Sequence, residues 1–396
     1  MFLNREAISL KEAQRLLAEL SVWPKTELKS ARSAHGFVLA ENVFAPFPIP
    51  AFRRSGYDGF GILACDNKNF PREFQVMETL GAGATLDKTL QPGECVRIMT
   101  GAKVPDDVAA VVMLEETENL SASRVRILNG SAKSNISEIG EEIKAKENVL
   151  SVGTRLNAGA ISVLCAFGIN EVTVYKKPRV AVVATGSELS RAATPETGTV
   201  YNSNGPLLAG LISENGGIVT GEYELTDDLD ATRALFRRLT KENDLVVTTG
   251  GVSVGDFDFV ARVAKEQTFL FNKLAMRPGS PTTAFVMNET PVVALSGNPS
   301  ACFTGFWFFV EPLIQRFQGR ETAAEEGKAI LAHAYTKKNE FDRYLHGVLD
   351  ACGTVTLDGH GQSSELASLY QANCFYQIPY GTSVSAGGSV KIWRLP

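Results

Sequence analysis

Clustered basic residues, histidine-rich stretches, paired cysteines and long apolar runs are all missing from this chain. Its 39 Lys and Arg are outnumbered by 44 Asp and Glu, for a net charge of −5, and they are spread along the sequence. That excludes the concentrated basic footprint of a nucleic-acid binder. The six cysteines (65, 95, 165, 302, 352, 374) contain no CxxC pair, so neither a thiolate zinc site nor a disulfide framework is expected. Four scattered histidines leave no basis for a histidine-rich metal site. The most apolar run, CFTGFWFFV (302–310), is far short of a membrane span and is closed by Glu311-Pro312, so no membrane is expected as a partner. The N-terminal MFLNREAISLKEAQRLL has the spacing of an amphipathic helix, with Glu6 and Glu12 inside it, not the pattern of a signal peptide. The expected location is cytoplasmic.

What is present is a long chain of ordinary globular composition, 396 residues with 44% hydrophobic and 21% charged, enough for two to four domains. The central third has the clearest pattern. RVAVVATG (179–186) is a β-branched run ending in glycine, as for a strand buried on both faces. SNGPLLAGLISENGG (203–217) follows with helical spacing and a Gly-Gly stop, then the strand GIVTGEYEL and the acid-started, base-ended helix DDLDATRALFRRLTKE. DLVVTTGG reads as a third strand, FDFVARVAKEQ as a helix and FLFNKLAM as a fourth strand. TAFVM and PVVALSG precede a long helix from Asn298 to about Phe317. Alternation of this kind predicts a parallel, helix-covered sheet. Residues 46–144 read as a β-rich domain, from FQVMETL, ECVRIM, AAVVMLEE and SRVRILNG separated by Gly, Pro and Asn. Segments 1–45 and 145–178 form an N-terminal, partly helical domain beside it. Residues 179–320 make the α/β domain, and 321–396 a compact β-domain of hairpins.

Ligands in parallel sheets bind beyond the carboxyl ends of the strands. Three such ends carry small-residue turns: ATGSE (184–188), TTGGVSVGD (248–256) and LSGNPS (295–300). Each can present backbone N–H groups to an anion, two of them beside a helix start. None matches GxGxxG, which disfavours a nicotinamide enzyme. The second turn, with Gly250, Gly251, Ser253 and Gly255, has phosphate-loop spacing, yet Asp256 and Asp258 stand where a P-loop keeps lysine. Carboxylates beside a phosphate repel it unless a divalent cation lies between, and Mg²⁺ is held by a few carboxylates plus phosphate oxygens. MRPGSP (276–281) supplies a rigid turn with Arg277, Pro278 and Gly279, preceded by Lys273, and these two cations are candidates for balancing phosphate charge. Gly297, Asn298 and Pro299 start a helix, with proline at its first position. Asp58 in a Tyr-Asp-Gly turn and Thr100 at a strand end each also fit a plain turn role. Asp227 and Asp228 equally suit helix capping.

In order along the whole chain, FxxSxxDG, TGAxxP, GE[DE], TGxEL, SN, GGVSVGDxD, PGxP, GNP and GQSSxLxSLxxAN resemble the molybdopterin molybdenumtransferase family (MoeA and the gephyrin E-domain). The resemblance implies an α/β molybdopterin-binding domain with a β-rich inserted domain and a C-terminal β-barrel. It implies a homodimer whose active site crosses the dimer interface, with the molybdopterin adenylyltransferase as an expected contact. The implied reaction uses Mg²⁺ and inserts molybdate into adenylylated molybdopterin with release of AMP. Carried onto this chain, the catalytic set is Asp58, Thr100, Glu142, Glu188, Asp227 and Asp258. Glu188, Asp227 and Asp258 are the implied metal ligands, and Asp58, Thr100 and Glu142 are implied to approach from the partner chain.

The chain departs from the family pattern where charge matters. Ser137 and Glu138 occupy a stretch that often carries arginine, and Glu142 replaces an aspartate. Ser280 replaces the lysine of PGKP, Ser296 the proline of LPGNP, and Asn202 and Gly205 stand where Asp and Arg are common. Losing one cation that pairs with an oxyanion costs about 1.5–3 kcal/mol, or about 10- to 100-fold in affinity. Two readings follow: an enzyme compensated by Lys273, Arg277, Lys103 or Mg²⁺, or a weakened paralogue that binds or scaffolds a pterin.

Overall fold

The computed structural model describes residues 6–396 except 187, 191, 193, 195, 226–227, 253–258, 322–323 and 357–364. The chain divides into two compact units, one of Glu41–Thr154 with Ala158–Asn170, the other of Met1–Ala40, Arg155–Asn157 and Glu171–Pro396.

In the larger unit Ser9 caps α1 (Leu10–Ala18), its hydroxyl accepting the Glu12 N–H at 3.1 Å. A three-stranded antiparallel sheet follows, β1 (Thr26–Ser30) and β2 (Val38–Leu39) flanking β9 (Glu171–Tyr175). The smaller unit holds a six-stranded sheet of β3 (Gly59–Leu63), β4 (Arg72–Leu80), β5 (Glu94–Ile98), β6 (Val108–Met113), β7 (Thr117–Ser121) and β8 (Arg124–Ile127). Their order is β6-β3-β5-β4-β8-β7. Its strands alternate between two cores, Val111 in one and Val112 in the other, as the two-residue strand period requires. α2 (Ala158–Ala166) belongs to the same unit.

The α/β sheet of the larger unit contains β10 (Arg179–Thr185), β11 (Ile218–Leu225), β12 (Leu245–Thr249), β13 (Thr268–Phe271), β14 (Thr283–Met287) and β15 (Thr290–Leu295). Their order is β11-β10-β12-β15-β14-β13. The four strands β11, β10, β12 and β15 are parallel. Val180 and Val182 of β10 face a core shared with α3 (Asn204–Glu214) and the 299–317 helix. Ala181 and Val183 face another, closed by α4 (Leu229–Glu242) and α5 (Phe259–Ala264). A strand buried on both faces needs the uninterrupted apolar run seen in its sequence. The sheet differs from the all-parallel expectation at one edge, where β14 pairs antiparallel with both β15 and β13. Asn288 and Glu289, both at positive φ, close the β14–β15 hairpin in two residues, too short for any parallel crossover.

The long helix lies where the sequence places it, as α6 (Pro299–Gly305), a π-helical turn (Phe306–Val310) and α7 (Glu311–Phe317). Its aromatic run is buried on all sides. No helix among the described residues is long and apolar enough to cross a membrane. The C-terminal strands β16 (Glu325–Leu331), β17 (Asp342–Leu349), β18 (Thr354–Thr356), β19 (Cys374–Ile378) and β20 (Ser389–Arg394) close into a barrel through the β17–β19 pairing. Tyr376 points into the barrel, while Phe375 points out and packs on Phe303 and Phe308 of the long helix.

Candidate functional site

The turns that end β10, β12 and β15 open on one cavity of about 770 Å³. Thr185, Thr249 and Ser296 line its floor with Gly250, Gly251, Gly297, Asn298 and Pro299, and Leu366 enters from the C-terminal segment. Gly250 and Gly251 take φ of 86° and 66°. A side-chain carbon on either would collide with Thr185, on its carbonyl or its hydroxyl. Two successive left-handed residues pressed on a neighbouring strand end leave glycine as the workable choice. The Gly250 N–H donates to the Leu295 carbonyl at 3.0 Å and ties two of the turns together.

Asn204, the first residue of α3, adds a second tie between the same two turns. Its amide nitrogen donates to the Gly297 carbonyl at 2.7 Å and to the Thr249 hydroxyl at 2.9 Å. A carbonyl only accepts, so the nitrogen must face Gly297 and the amide cannot be flipped. The remaining Oδ1 of this 7%-exposed residue has no hydrogen-bond partner among the described residues. Asn202 accepts the Gly205 N–H at 2.9 Å. A side chain at 205 would press on the Asn202 amide and on Glu222, so Asn202 and Gly205 are compatible as a pair. Beneath the next helix start, burial pushes the Cys302 thiol up to about 12, which makes it an inert core group.

Glu188 is the one charged side chain among the described residues lining the cavity. Its carboxylate folds over Gly186, where a side-chain carbon would collide with it. No lysine or arginine joins it among the described lining residues. Lys273, Arg277, Pro278 and Gly279 are not in that lining, whereas Pro281 is. The Arg277 guanidinium lies over the Phe341 ring at 5.4 Å. Ser280 donates its hydroxyl to the Leu274 carbonyl at 2.8 Å. Asp227, Ser253, Gly255, Asp256 and Asp258 lie outside the described residues, as does GQSS of the late motif. Asp228 caps α4, accepting the Ala231 N–H at 2.8 Å. Among the described residues no three His, Cys, Asp or Glu group together to hold a metal.

Asp58 and Thr100 meet in the smaller unit. Gly59 pairs with Ile98 across β3 and β5, so the residue before one strand neighbours the turn after the other. The Asp58 carboxylate accepts the Thr100 N–H at 2.6 Å and its hydroxyl at 2.8 Å. These bonds, backbone first, hold its carboxyl below the usual carboxylate range. Gly59 is required there, since a side chain would strike the Val112 carbonyl. Glu142 is exposed and donates its backbone N–H to the Ile49 carbonyl at 3.1 Å. Glu138 forms an ion pair with Arg53 at 3.5 Å.

Comparison with known proteins covers the chain end to end. Residues 8–168 match the MoeA N-terminal region (domains I and II), 181–316 a "Probable molybdopterin binding domain", and 328–395 the MoeA C-terminal region (domain IV). A molybdopterin molybdenumtransferase of Staphylococcus aureus (strain COL) is 40% identical over 403 residues, covering 98% of this chain and 96% of that protein. Its counterpart in Staphylococcus epidermidis is 38% identical over 401 residues, covering 98% and 95%. The crystal structure of a molybdopterin biosynthesis MoeA protein from Pyrococcus horikoshii OT3 superposes with a TM-score of 0.82 at 28% identity. That alignment covers 98% of this chain and 100% of the other.

Proposed function

Because the chain belongs to the molybdopterin molybdenumtransferase family, we propose that it inserts molybdate into adenylylated molybdopterin and releases AMP. The observation that carries this reading is the cavity of about 770 Å³ built from three strand-end turns. Backbone donors of the glycine turns and the start of the long helix would bind phosphate oxygens. Asn204 fixes those turns to one another through Gly297 and Thr249, so the donors need no rearrangement as charge develops on the leaving phosphate. The cavity walls, including Leu189, Val200 and Leu366, would exclude water from the linkage being cut.

A cavity with a carboxylate and no described cation suits an anionic substrate only when positive charge arrives with it. Glu188, with Asp227 and Asp258, would hold the Mg²⁺ whose charge offsets the phosphate oxygens, a donor set of the oxygen-only kind that Mg²⁺ prefers. We further infer a homodimer in which Asp58, Thr100 and Glu142 of one copy serve the cavity of the other, and contact with the molybdopterin adenylyltransferase that delivers the substrate.

The test is AMP release from adenylylated molybdopterin in the presence of molybdate, with and without Mg²⁺. The proposal expects release that needs both. Tight pterin binding without AMP release would leave a scaffolding protein instead, and release indifferent to Mg²⁺ would remove the metal from the reading. Light scattering on the purified protein decides between one copy and two.

A further inference from the structure

A second concavity lies at the opposite end of the same strands. Its lining brings together Lys25, Lys176, Lys177, Arg179 and Lys241 around a space of about 280 Å³. Arg179 begins β10, and Asp244 directly precedes β12, so this is the edge away from the glycine turns. Asp244 organises the floor: one carboxylate oxygen takes the Lys25 ammonium at 2.9 Å and the other accepts the Arg179 N–H at 2.9 Å. Glu242 is the other carboxylate in the lining. Lys176, Lys177, Arg179 and Lys241 have no ion-pair partner among the described residues.

The positive charge continues beyond the cleft. Lys177 and Lys29 both sit over the Phe37 ring, at 4.7 and 4.3 Å. Burial, then the like charges of Arg155 and Lys29, push the Lys177 ammonium below its usual value. Helix polarity explains part of this, since Lys241 lies in the last turn of α4, where a cation offsets the carbonyl end. One helix end does not call for five cations drawn from three separate segments. Apolar surface accompanies them: Trp23 is 76% exposed, and Phe317 and Pro178 also line the cleft.

We propose that this cleft is a docking surface for an acidic segment of a partner protein, its carboxylates on the lysines and an apolar side chain against Trp23. Charge complementarity carries the choice, because unpaired like charges held together are relieved by an anionic partner. The spread of cations past the cleft to Lys29 and Arg155 suits an extended polypeptide better than a compact anion. Five cations in one small cleft fall short of the basic stripe that follows a nucleic-acid backbone. The proposal is independent of the strand-end cavity, and AMP release serves as the separate readout of that site.

The probe is a short synthetic peptide of glutamates and aspartates with one central leucine. Trp307 and Trp393 are only 6% and 9% exposed, so protection of tryptophan fluorescence from acrylamide reports on Trp23. The intact protein is expected to bind the peptide, with affinity falling as ionic strength rises. K176E/K241E should weaken binding by at least about tenfold, and K176Q/K241Q by less, with AMP release unchanged and the melting temperature lowered only slightly by the charge lost at the end of α4. Absence of binding at low salt, or equal affinity for the charge-reversal variant, would overturn the proposal. So would displacement of the peptide by pyrophosphate or an oligonucleotide that binds more tightly.

Discussion

Where β10 and β12 begin, Arg179, Lys176 and Lys241 crowd a small cleft. Where the same strands end, Thr185 and Thr249 give way to glycines, and no described cation lines the larger cavity. The contrast has a source in backbone polarity. The starts of α3 and of the long helix face the strand ends with the positive ends of their dipoles, which favour anions without a charged side chain. The other edge receives helix C-termini, and cations gather there. A parallel sheet covered by helices is therefore two different surfaces. One is suited to binding a phosphate by backbone, and the other holds side-chain charge.

Disabling the backbone end should have the largest effect. Gly250→Val places a branched residue at φ 86° against the Thr185 carbonyl, and a displacement of about 1 Å in such a loop costs about 100-fold in turnover. AMP release by the folded variant measures it, and near-normal turnover would separate the glycine turn from the chemistry. Glu188→Gln comes next. Losing a charge that meets a cation predicts about a 10- to 100-fold weaker Mg²⁺ dependence, with the melting temperature unchanged because Glu188 is exposed. An unaltered Mg²⁺ titration would strike Glu188 from the metal set.

Asn204→Ala removes two hydrogen bonds in a buried place and should cost about 1–3 kcal/mol in urea unfolding. Asn204→Asp should fare no better, since a carboxylate oxygen would then face the Gly297 carbonyl. Full stability in the aspartate variant would contradict the amide orientation. The smallest effect belongs to the basic end. Lys29→Gln removes a like charge beside Lys177, so the Lys177 ammonium should titrate higher by NMR. Its folded value lies below the unfolded one, so folding releases a proton between the two values, and stability rises with pH across that window. Lys29→Gln should flatten that rise; an unchanged slope would mean the repulsion is already screened.

Much of this architecture was legible in the residues. RVAVVATG showed a doubly buried strand, Pro299 a helix start, and the turns after β10, β12 and β15 the edge of the sheet where the cavity opens. The antiparallel edge was not legible, because TAFVM and PVVALSG carry no sign of direction and the decision rests on Asn288 and Glu289 adopting positive φ. The sheet of β1, β9 and β2 was also missed, although TELKS and EVTVY alternate as half-buried strands do. At the site, Lys273 and Arg277 follow a strand in sequence, which made them candidates for the phosphate. Where Arg277 places its charge depends on Phe341, a neighbour remote in sequence. The Asp58–Thr100 contact spans 42 positions and exists only through the β3–β5 register.

The outward face of β19 has a consequence for anyone wishing to cut this protein down. Phe308 of the long helix meets Tyr344, Phe375 and Trp393 at centroid distances of 5.2, 5.2 and 5.5 Å. A stop codon after the helix would not free a smaller pterin-binding protein. It would strip the covering from an aromatic wall and leave a fragment that sticks to itself. The barrel is the lid on the α/β domain's own core, and the two must be made, purified and engineered as one piece.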